Sequence, residues 1–421
     1  MSAACSAWTT LVVVAAISLG TEAASAAGSP PPTVPGAELI LRLSADGDIG
    51  LINAQIGAGT VASLPEHQLF LVELPPNVAP QAIINLLAVN ESVEWVDLNF
   101  SLGLADGHTQ SFFVTSIGDG AEAGDDGQES PALTENDFLR QPVQLAYATK
   151  SLHRIATGAG ITVAVLDSGV DSTHPLLIGK IADGGYDFVT GSPSTLPPPG
   201  GLDTFAPHGT FLAGLVAHFA PEAMILPITV LDANGVGELF DVIAGLLHAV
   251  DAGAEIIVLA LSTHVDSLAL AYAIDVAVAA DALVVAAAGN DGSAEPLRFP
   301  AADPDVLAVG ATEFDETKWP LSNFGFHVDL CAPGSGIVSA IPGVEGGGYA
   351  MASGTSVSTA LVAAGAALVR SARPAATADE ATATLVGMAI SIDAVNREYA
   401  GLLGAGRMSL WQAAPRPGSV R

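Results

Sequence analysis

The sequence predicts an α/β chain built on a mainly parallel central sheet with helices on both faces, preceded by a small α+β unit. Three observations predict it. From about Arg140, continuous apolar runs of strand length alternate with Ala-rich helical runs, the pattern of strands buried on both faces. Residues 38–98 carry six short elements in the order β-α-β-β-α-β. Between the two lies an acidic, Gly-rich stretch. At 421 residues the chain is long enough for two or three such units.

The first element is N-terminal. Leu11 to Leu19 is a short apolar run, followed by Ala24-Ser25-Ala26, an A-x-A cleavage pattern. Residues 1–26 therefore read as a secretory signal peptide, too short in its apolar part to span a bilayer, although no Lys or Arg precedes the run. Cleavage there would remove Cys5 and leave Cys331 as a single cysteine. Residues 27–37 form a Pro-rich leader.

The small unit covers 38–100. Strands are expected at Glu38 to Leu43, Thr60 to Ala62, Gln68 to Leu74 and Val93 to Leu98. Helices are expected at Asp48 to Ile56 and Ala79 to Ala88. This is a ferredoxin-like plan, and nothing in it looks catalytic. Residues 101–139 read as a flexible acidic linker, with eight carboxylates and no Lys or Arg between Asp106 and Asp137.

The larger unit, 140–415, has candidate strands at Ile161 to Leu166, Ala223 to Val230, Glu255 to Leu261, Ala282 to Ala288 and Val306 to Val309. Its candidate helices are Phe211 to Ala217, Leu239 to Ala252, Leu268 to Ala280 and Ser356 to Arg370. The apolar Val357 to Val369 run reads as a buried helix rather than a membrane span. Residues 416–421 are a short tail.

Composition narrows the function class. The chain carries 44 acidic and 13 basic residues, a formal net charge of −31. A phosphate-binding surface needs clustered Lys and Arg, so nucleic acid is excluded, and a polybasic membrane-surface mode with it. Two cysteines build no disulfide framework, and no zinc-type spacing occurs. After Arg140 there remain 27 acids against 11 bases, so about half of the excess belongs to the upstream segments.

Three polar residues sit where apolar elements end or begin. Asp167 ends a strand in Asp167-Ser-Gly-Val-Asp171. His208 opens a helix in His208-Gly-Thr-Phe-Leu-Ala213. Ser356 opens another in Gly354-Thr-Ser-Val-Ser358. In open parallel sheets the working residues lie at such ends. Each could singly be a cap or turn residue. Asp…His…Ser is the chain order of subtilisin.

Further motifs follow in register: Val163-Ala-Val-Leu-Asp-Ser-Gly-Val-Asp171, Val230-Leu-Asp-Ala-Asn-Gly235, Ala286-Ala-Ala-Gly-Asn290, Arg298-Phe-Pro-Ala301, Ser322-Asn-Phe-Gly325, Cys331-Ala-Pro-Gly334, Ser353-Gly-Thr-Ser356 and Gly404-Ala-Gly-Arg407. With them, the segment from about Leu145 to Ala414 resembles the catalytic domain of a subtilisin-like serine protease.

The resemblance implies a subtilisin-like fold and a serine endopeptidase. Ser356 is then the nucleophile, His208 the general base and Asp167 the residue that fixes the imidazole tautomer. Asn290 and the Ser356 N–H would form the oxyanion hole. Ala260, Leu261 and Ser262 would pair with the substrate backbone, and Ala287, Ala288 and Gly289 would floor the pocket beside the scissile bond. The 38–100 unit resembles the family's inhibitory propeptide, so a self-inhibited zymogen is expected.

Departures from the family pattern are Phe211 in place of a second His, Val357-Ser358-Thr359-Ala360 after the serine, and Ser262 in place of Gly. Ser262 should narrow the groove for bulky residues. His174, His218, His248 and His264 read as ordinary satisfied histidines, with no metal-ligand cluster around them.

The chemistry requires no cofactor. Many relatives bind structural calcium, but no compact calcium-loop motif appears. The expected partners are protein or peptide substrates and the chain's own propeptide, with no nucleic acid and no membrane span. The expected product is an extracellular or periplasmic monomer. Two alternatives stand beside the degradative enzyme: an inactive peptide-binding module on the same fold, and a processing protease with few substrates.

Overall fold

Short apolar strands build the N-terminal unit: β1 (Glu38–Leu43), α1 (Ile49–Ile56), β2 (Gly59–Leu64), β3 (Leu69–Glu73), α2 (Pro80–Leu87) and β4 (Val93–Leu98). The structure, a computed structural model, describes residues 37–105, 132–147, 149–201, 204–343 and 347–410. The expected signal peptide, the leader through residue 36, the centre of the acidic segment and the tail lie outside the described residues.

The four strands form an antiparallel sheet in the order β2-β3-β1-β4. Asp48 caps α1 by accepting from the N–H groups of Gly50 and Leu51. Gly57, at φ 71°, ends the helix in the left-handed region. Alternation divides the sheet's residues. Leu39, Leu41 and Val72 pack under the two helices with Ile52 and Leu87. Ile40, Leu69 and Leu71 join the core cluster of the larger unit.

The ends of the expected flexible linker are structured. Ser101–Leu104 is a strand, β5, and Glu135–Arg140 is a helix, α3. The reason is a handful of apolar side chains that the acidic composition obscures: Leu102, Leu104, Leu133 and Phe138 are all buried. Thr134 and Asp137 close a capping box at the start of α3. Two short helices follow, α4 (Pro142–Ala146) and α5 (Thr149–Leu152). Between α3 and α4, Gln141 exchanges two 2.8 Å bonds with the backbone N–H and C=O of Val338.

The larger unit then runs β6 (Thr162–Asp167), β7 (Tyr186–Asp187), α6 (His208–Phe219), β8 (Met224–Thr229), β9 (Val236–Glu238), α7 (Leu239–Asp251), β10 (Ile256–Leu259), β11 (Leu261–Ser262) and α8 (Leu268–Ala279). It continues with β12 (Leu283–Ala287), β13 (Leu307–Thr312), β14 (Leu330–Pro333), the hairpin of β15 (Ile337–Ile341) and β16 (Gly348–Ala352), α9 (Thr355–Ala372) and α10 (Ala378–Met388). Seven strands form one parallel sheet in the order β14-β13-β12-β10-β6-β8-β7.

Helices cover both faces. Val163, Val165, Ile256 and Val258 point into a core with α6 and α9. Ala164, Leu166, Ile257 and Leu259 point into a core with α7 and α8. The chain leaves β6 toward β8 on one side and returns to β10 on the other, so strand order reverses at β6 and opens a crevice at its carboxyl end.

α9 is long and apolar enough to cross a membrane, but 89% of it is buried within the protein. Its apolarity serves interior packing against the sheet and α6. The polar side chains it carries bond to nearby carbonyls: Ser358 to Ala332 at 2.9 Å and Thr359 to Thr355 at 2.7 Å.

The four ordinary histidines each meet an oxygen: His174 the Gly348 carbonyl, His218 the Gln144 amide, His248 the Gly184 carbonyl and His264 the Leu297 carbonyl. Burial pushes His218 down to about 4, helped by the nearby His153 and Lys180. Between that value and the ordinary 6.5 the unfolded chain binds more protons than the folded one. Stability therefore falls as pH drops through this window. The melting temperature of a His218→Gln variant is expected to decline less steeply from pH 6.5 to 4 than that of the parent. Parallel declines would show that His218 does not supply this acid sensitivity.

Candidate active site

At the carboxyl end of β6 the strand's last residue, Asp167, faces the first residue of α6. His208 Nδ1 lies 2.9 Å from Asp167 Oδ1 and 2.8 Å from Oδ2, with both side chains almost fully buried. A carboxylate there holds the imidazole with Nδ1 protonated, which leaves Nε2 as the basic nitrogen.

Two local features allow the approach. Gly209 has no side chain where a Cβ would stand 2.4 Å from the Gly169 carbonyl and 3.1 Å from the Asp167 Cβ. Ser168 ties strand end to helix start: its hydroxyl lies 3.2 Å from Asp167 Oδ1 and 3.1 Å from the Ala206 carbonyl, and accepts from the Gly209 N–H at 3.2 Å. The Ser168 N–H also donates to Asp167 Oδ1 at 2.8 Å. Sequence reasoning assigned Ser168 no role, although it lies inside the quoted aspartate motif.

Ser356 is the second residue of α9 and is fully buried. The first turn of a helix leaves backbone N–H groups without intrahelical partners, a natural setting for negative charge. Beside it, Asn290 follows β12. Its Oδ1 accepts from the N–H of Thr355 at 3.0 Å and from the Thr355 hydroxyl at 2.8 Å. These bonds orient the amide so that its NH2 is the end Thr355 does not engage.

The loop bearing Asn290 is held from several sides. Gly289 takes φ 102°, and a Cβ on it would stand 2.5 Å from Asn323 Nδ2. Asn323 Nδ2 donates to the Ala288 carbonyl at 3.0 Å, and its Oδ1 accepts from Asp291 and Ser293 N–H at 2.9 and 3.1 Å. Arg298 grips Asp291 through both carboxylate oxygens, which holds that carboxyl below the usual carboxylate range. The signals for Asn323 and Arg298 were present in the quoted motifs; their action on the Asn290 loop becomes visible only in three dimensions.

The remaining sequence-predicted residues meet an extended segment of this chain. β5 lies antiparallel between β11 and β9 in a three-stranded sheet. Leu261 pairs with Leu104 and Ser262 with Gly103, while Ala105 donates to the Ala260 carbonyl at 3.1 Å. On the opposite edge Leu104 donates to the Gly235 carbonyl at 3.0 Å. Ala287 and Ala288 are buried at the end of β12, next to Gly289. Phe211 belongs to the core under α6 and α9, whereas Leu102 and Leu104 pack on the other sheet face, so Phe211 is a packing residue rather than a groove wall. Among the described residues, no group of three or more His, Cys, Asp or Glu side chains is placed to hold a metal ion.

Comparison with known proteins shows the family. Residues 158–406 match the Peptidase_S8 model, described as the subtilase family. The chain is 39% identical over 251 residues to thermitase from Thermoactinomyces vulgaris, covering 57% of this chain and 84% of thermitase. It is 40% identical over 254 residues to the thermophilic serine proteinase of Bacillus sp. (strain AK1), covering 57% of this chain and 60% of that protein, less than two thirds of its length. The crystal structure of fervidolysin from Fervidobacterium pennivorans shares the fold at TM-score 0.71 and 21% identity, covering 93% of this chain and 63% of that one. A cold adapted subtilisin-like serine proteinase superposes at TM-score 0.54 and 29% identity, over 62% of this chain and 91% of that chain. The chain belongs to the subtilase family of serine-type endopeptidases.

Proposed function

We propose that the chain is the zymogen of an exported serine endopeptidase, with Asp167, His208 and Ser356 as its triad and Asn290 in its oxyanion hole. The observation that carries this reading is the buried Asp167–His208 contact at the point where strand order reverses. Ser356 Oγ attacks the scissile carbonyl carbon as its proton passes to His208 Nε2. The C–N bond then breaks and that proton leaves with the amine. Water, deprotonated by the same nitrogen, hydrolyses the acyl-enzyme. Negative charge on the carbonyl oxygen is met by the Ser356 N–H and the Asn290 amide. Asp167 stabilises the imidazolium without taking its proton.

The zymogen part rests on β5, which fills the substrate groove by strand addition. The N-terminal unit anchors it on two helices. Asp97 accepts from the Ser267 hydroxyl and the Ala269 N–H at the start of α8. Asn99 accepts from the Phe240 N–H at the start of α7. Arg42 stacks on the Tyr272 ring with its guanidinium 4.1 Å from the centroid, and Trp95 packs beside the same ring. Export follows from the expected signal peptide.

Four experiments test the reading. A fluorophosphonate probe is expected to label the processed chain and to leave Ser356→Ala unlabelled; labelling that persists in the variant would remove Ser356 as the nucleophile. Asn290→Ala is expected to lower turnover about 100- to 1000-fold with little change in KM, the loss known for such a donor in subtilisin. Asn323→Ala is expected to lower turnover by a smaller factor in the same direction, and an unchanged rate would make its contacts structural only. N-terminal sequencing of the mature chain is expected to place its start between Asp106 and Ala132, because β5 belongs to the inhibitor while Leu133 is part of the enzyme core. A start within 38–104 would contradict the assignment of β5.

A further inference from the structure

One lysine of the enzyme unit, Lys318, is only 7% exposed. It lies in the loop between β13 and β14, and its ammonium donates to backbone carbonyls rather than to a carboxylate. Nζ lies 3.0 Å from the Trp319 oxygen, 2.9 Å from that of Pro320 and 2.7 Å from that of Ser322. The rings of Phe324 and Tyr399 close over it, with centroids 5.4 and 4.9 Å away. At its base, the Lys318 N–H donates to Asn396 Oδ1 at 2.7 Å. The ammonium thus gathers the turn 319–322 around a single charge. That turn leads directly into the clasp on the Asn290 loop. The Leu321 carbonyl accepts from the Gly292 N–H at 2.8 Å, and the Asn323 N–H donates to the Gly289 carbonyl at 2.8 Å. The Phe324 N–H donates to the Ser293 carbonyl at 3.2 Å. With the side-chain bonds of Asn323, the clasp holds the loop on both sides of Asn290.

We propose that Lys318 is a positioning residue for the oxyanion hole, its ammonium holding the 319–322 turn in the shape that fixes the Asn290 amide. The assignment rests on the reading of Asn290 above and adds the cation that steadies it. Carbonyl oxygens crowded into one turn repel each other, and a shared positive charge turns that repulsion into attraction. A neutral amine has two N–H groups, so loss of the proton removes the charge and leaves one carbonyl without its donor. Burial lowers the ammonium to about 8, and a cleft of about 320 Å3 lined by Thr317, Asn396 and Tyr399 opens it to solvent. The charged and titratable groups around it are Cys331, Tyr399, Arg397, Glu398 and Glu316. Burial pushes the Cys331 thiol up to about 12, Arg397 and Glu398 line the same cleft, and Glu316 is paired with Arg407 at 2.9 Å. Between about 8 and the ordinary 10.5 the unfolded chain binds more protons than the folded one, so this group does not weaken the fold as pH rises. A fall in turnover across that window is then a loss of positioning, not unfolding.

The test follows kcat and KM of the processed enzyme on a blocked, uncharged fluorogenic peptide from about pH 7 to about pH 10, with the melting temperature at each pH. The parent's kcat is expected to fall about three- to tenfold at constant KM, the scale of one hydrogen bond. The midpoint of that fall is expected near the lowered value of about 8. Lys318→Met is expected to show the reduced kcat already at neutral pH and no further fall above it. Lys318→Arg, whose guanidinium keeps its proton, is expected to carry its neutral-pH rate into alkaline solution. A Lys318→Met rate equal to the parent's at neutral pH, or an alkaline fall that persists in both variants, would overturn the assignment while leaving the endopeptidase intact. A parent kcat that stays flat, or that falls only together with the melting temperature, would overturn it even where the variants fail to fold. Fluorophosphonate labelling with unchanged turnover in Asn290→Ala would instead remove the oxyanion reading on which it rests.

Discussion

The constraint on which the rest depends is the close seating of α6 on the end of β6. A buried carboxylate beside a buried imidazole is tolerable only if each satisfies the other, and their contact leaves no space for a side chain on Gly209. Parallel pairing of β6 with β8 and β10 fixes where Asp167 ends. Packing of α6 against α9 then fixes where Ser356 sits in the first turn of its helix, and Thr355 passes the registration on to Asn290. Four residues far apart in sequence are thus placed by sheet register and helix packing, not by flexible loops.

Much of this was legible in the chain because it follows from local periodicity. The bounds of β1 and β4 coincide with those expected, and the alternating β10, β12 and β13 differ by a few residues at their ends. Asp167, His208 and Ser356 announce themselves as polar residues at the ends of apolar runs. What was not legible depends on partners. β5 is four residues inside a strongly acidic context, and only β9 and β11 make it a strand. β7 and the β15–β16 hairpin are likewise too short or too mixed for periodicity to reveal. α10 went unread because its Ala- and Thr-rich sequence shows little contrast between faces. The bonds that make Asn323 a brace for the Asn290 loop join residues 30 or more positions apart.

The acidity of the chain also takes on a structural meaning. Where carboxylates lie near the groove they serve as caps and clasps: Asp97 at the start of α8, Asp291 in the grip of Arg298, and Glu238 accepting from the Ser101 hydroxyl at 2.8 Å. Part of the net charge of −31 thus sits in carboxylates that cap helices and clasp loops, and 17 of the 44 acids lie upstream of Arg140. Those roles ask only for local oxygen acceptors, and they place no demand on a long-range field.

On the proposed zymogen reading, the three-stranded arrangement of β9, β5 and β11 has a consequence for the molecule once β5 departs. Removing a central strand leaves two bare edges that face one another across two strand spacings, about 9.6 Å. Each carries backbone donors and acceptors that want a partner, and nothing in their geometry distinguishes a substrate from a neighbouring unfolded chain. On the same zymogen reading, a strand that occupies this slot until the protein is dilute would also guard it against aggregation.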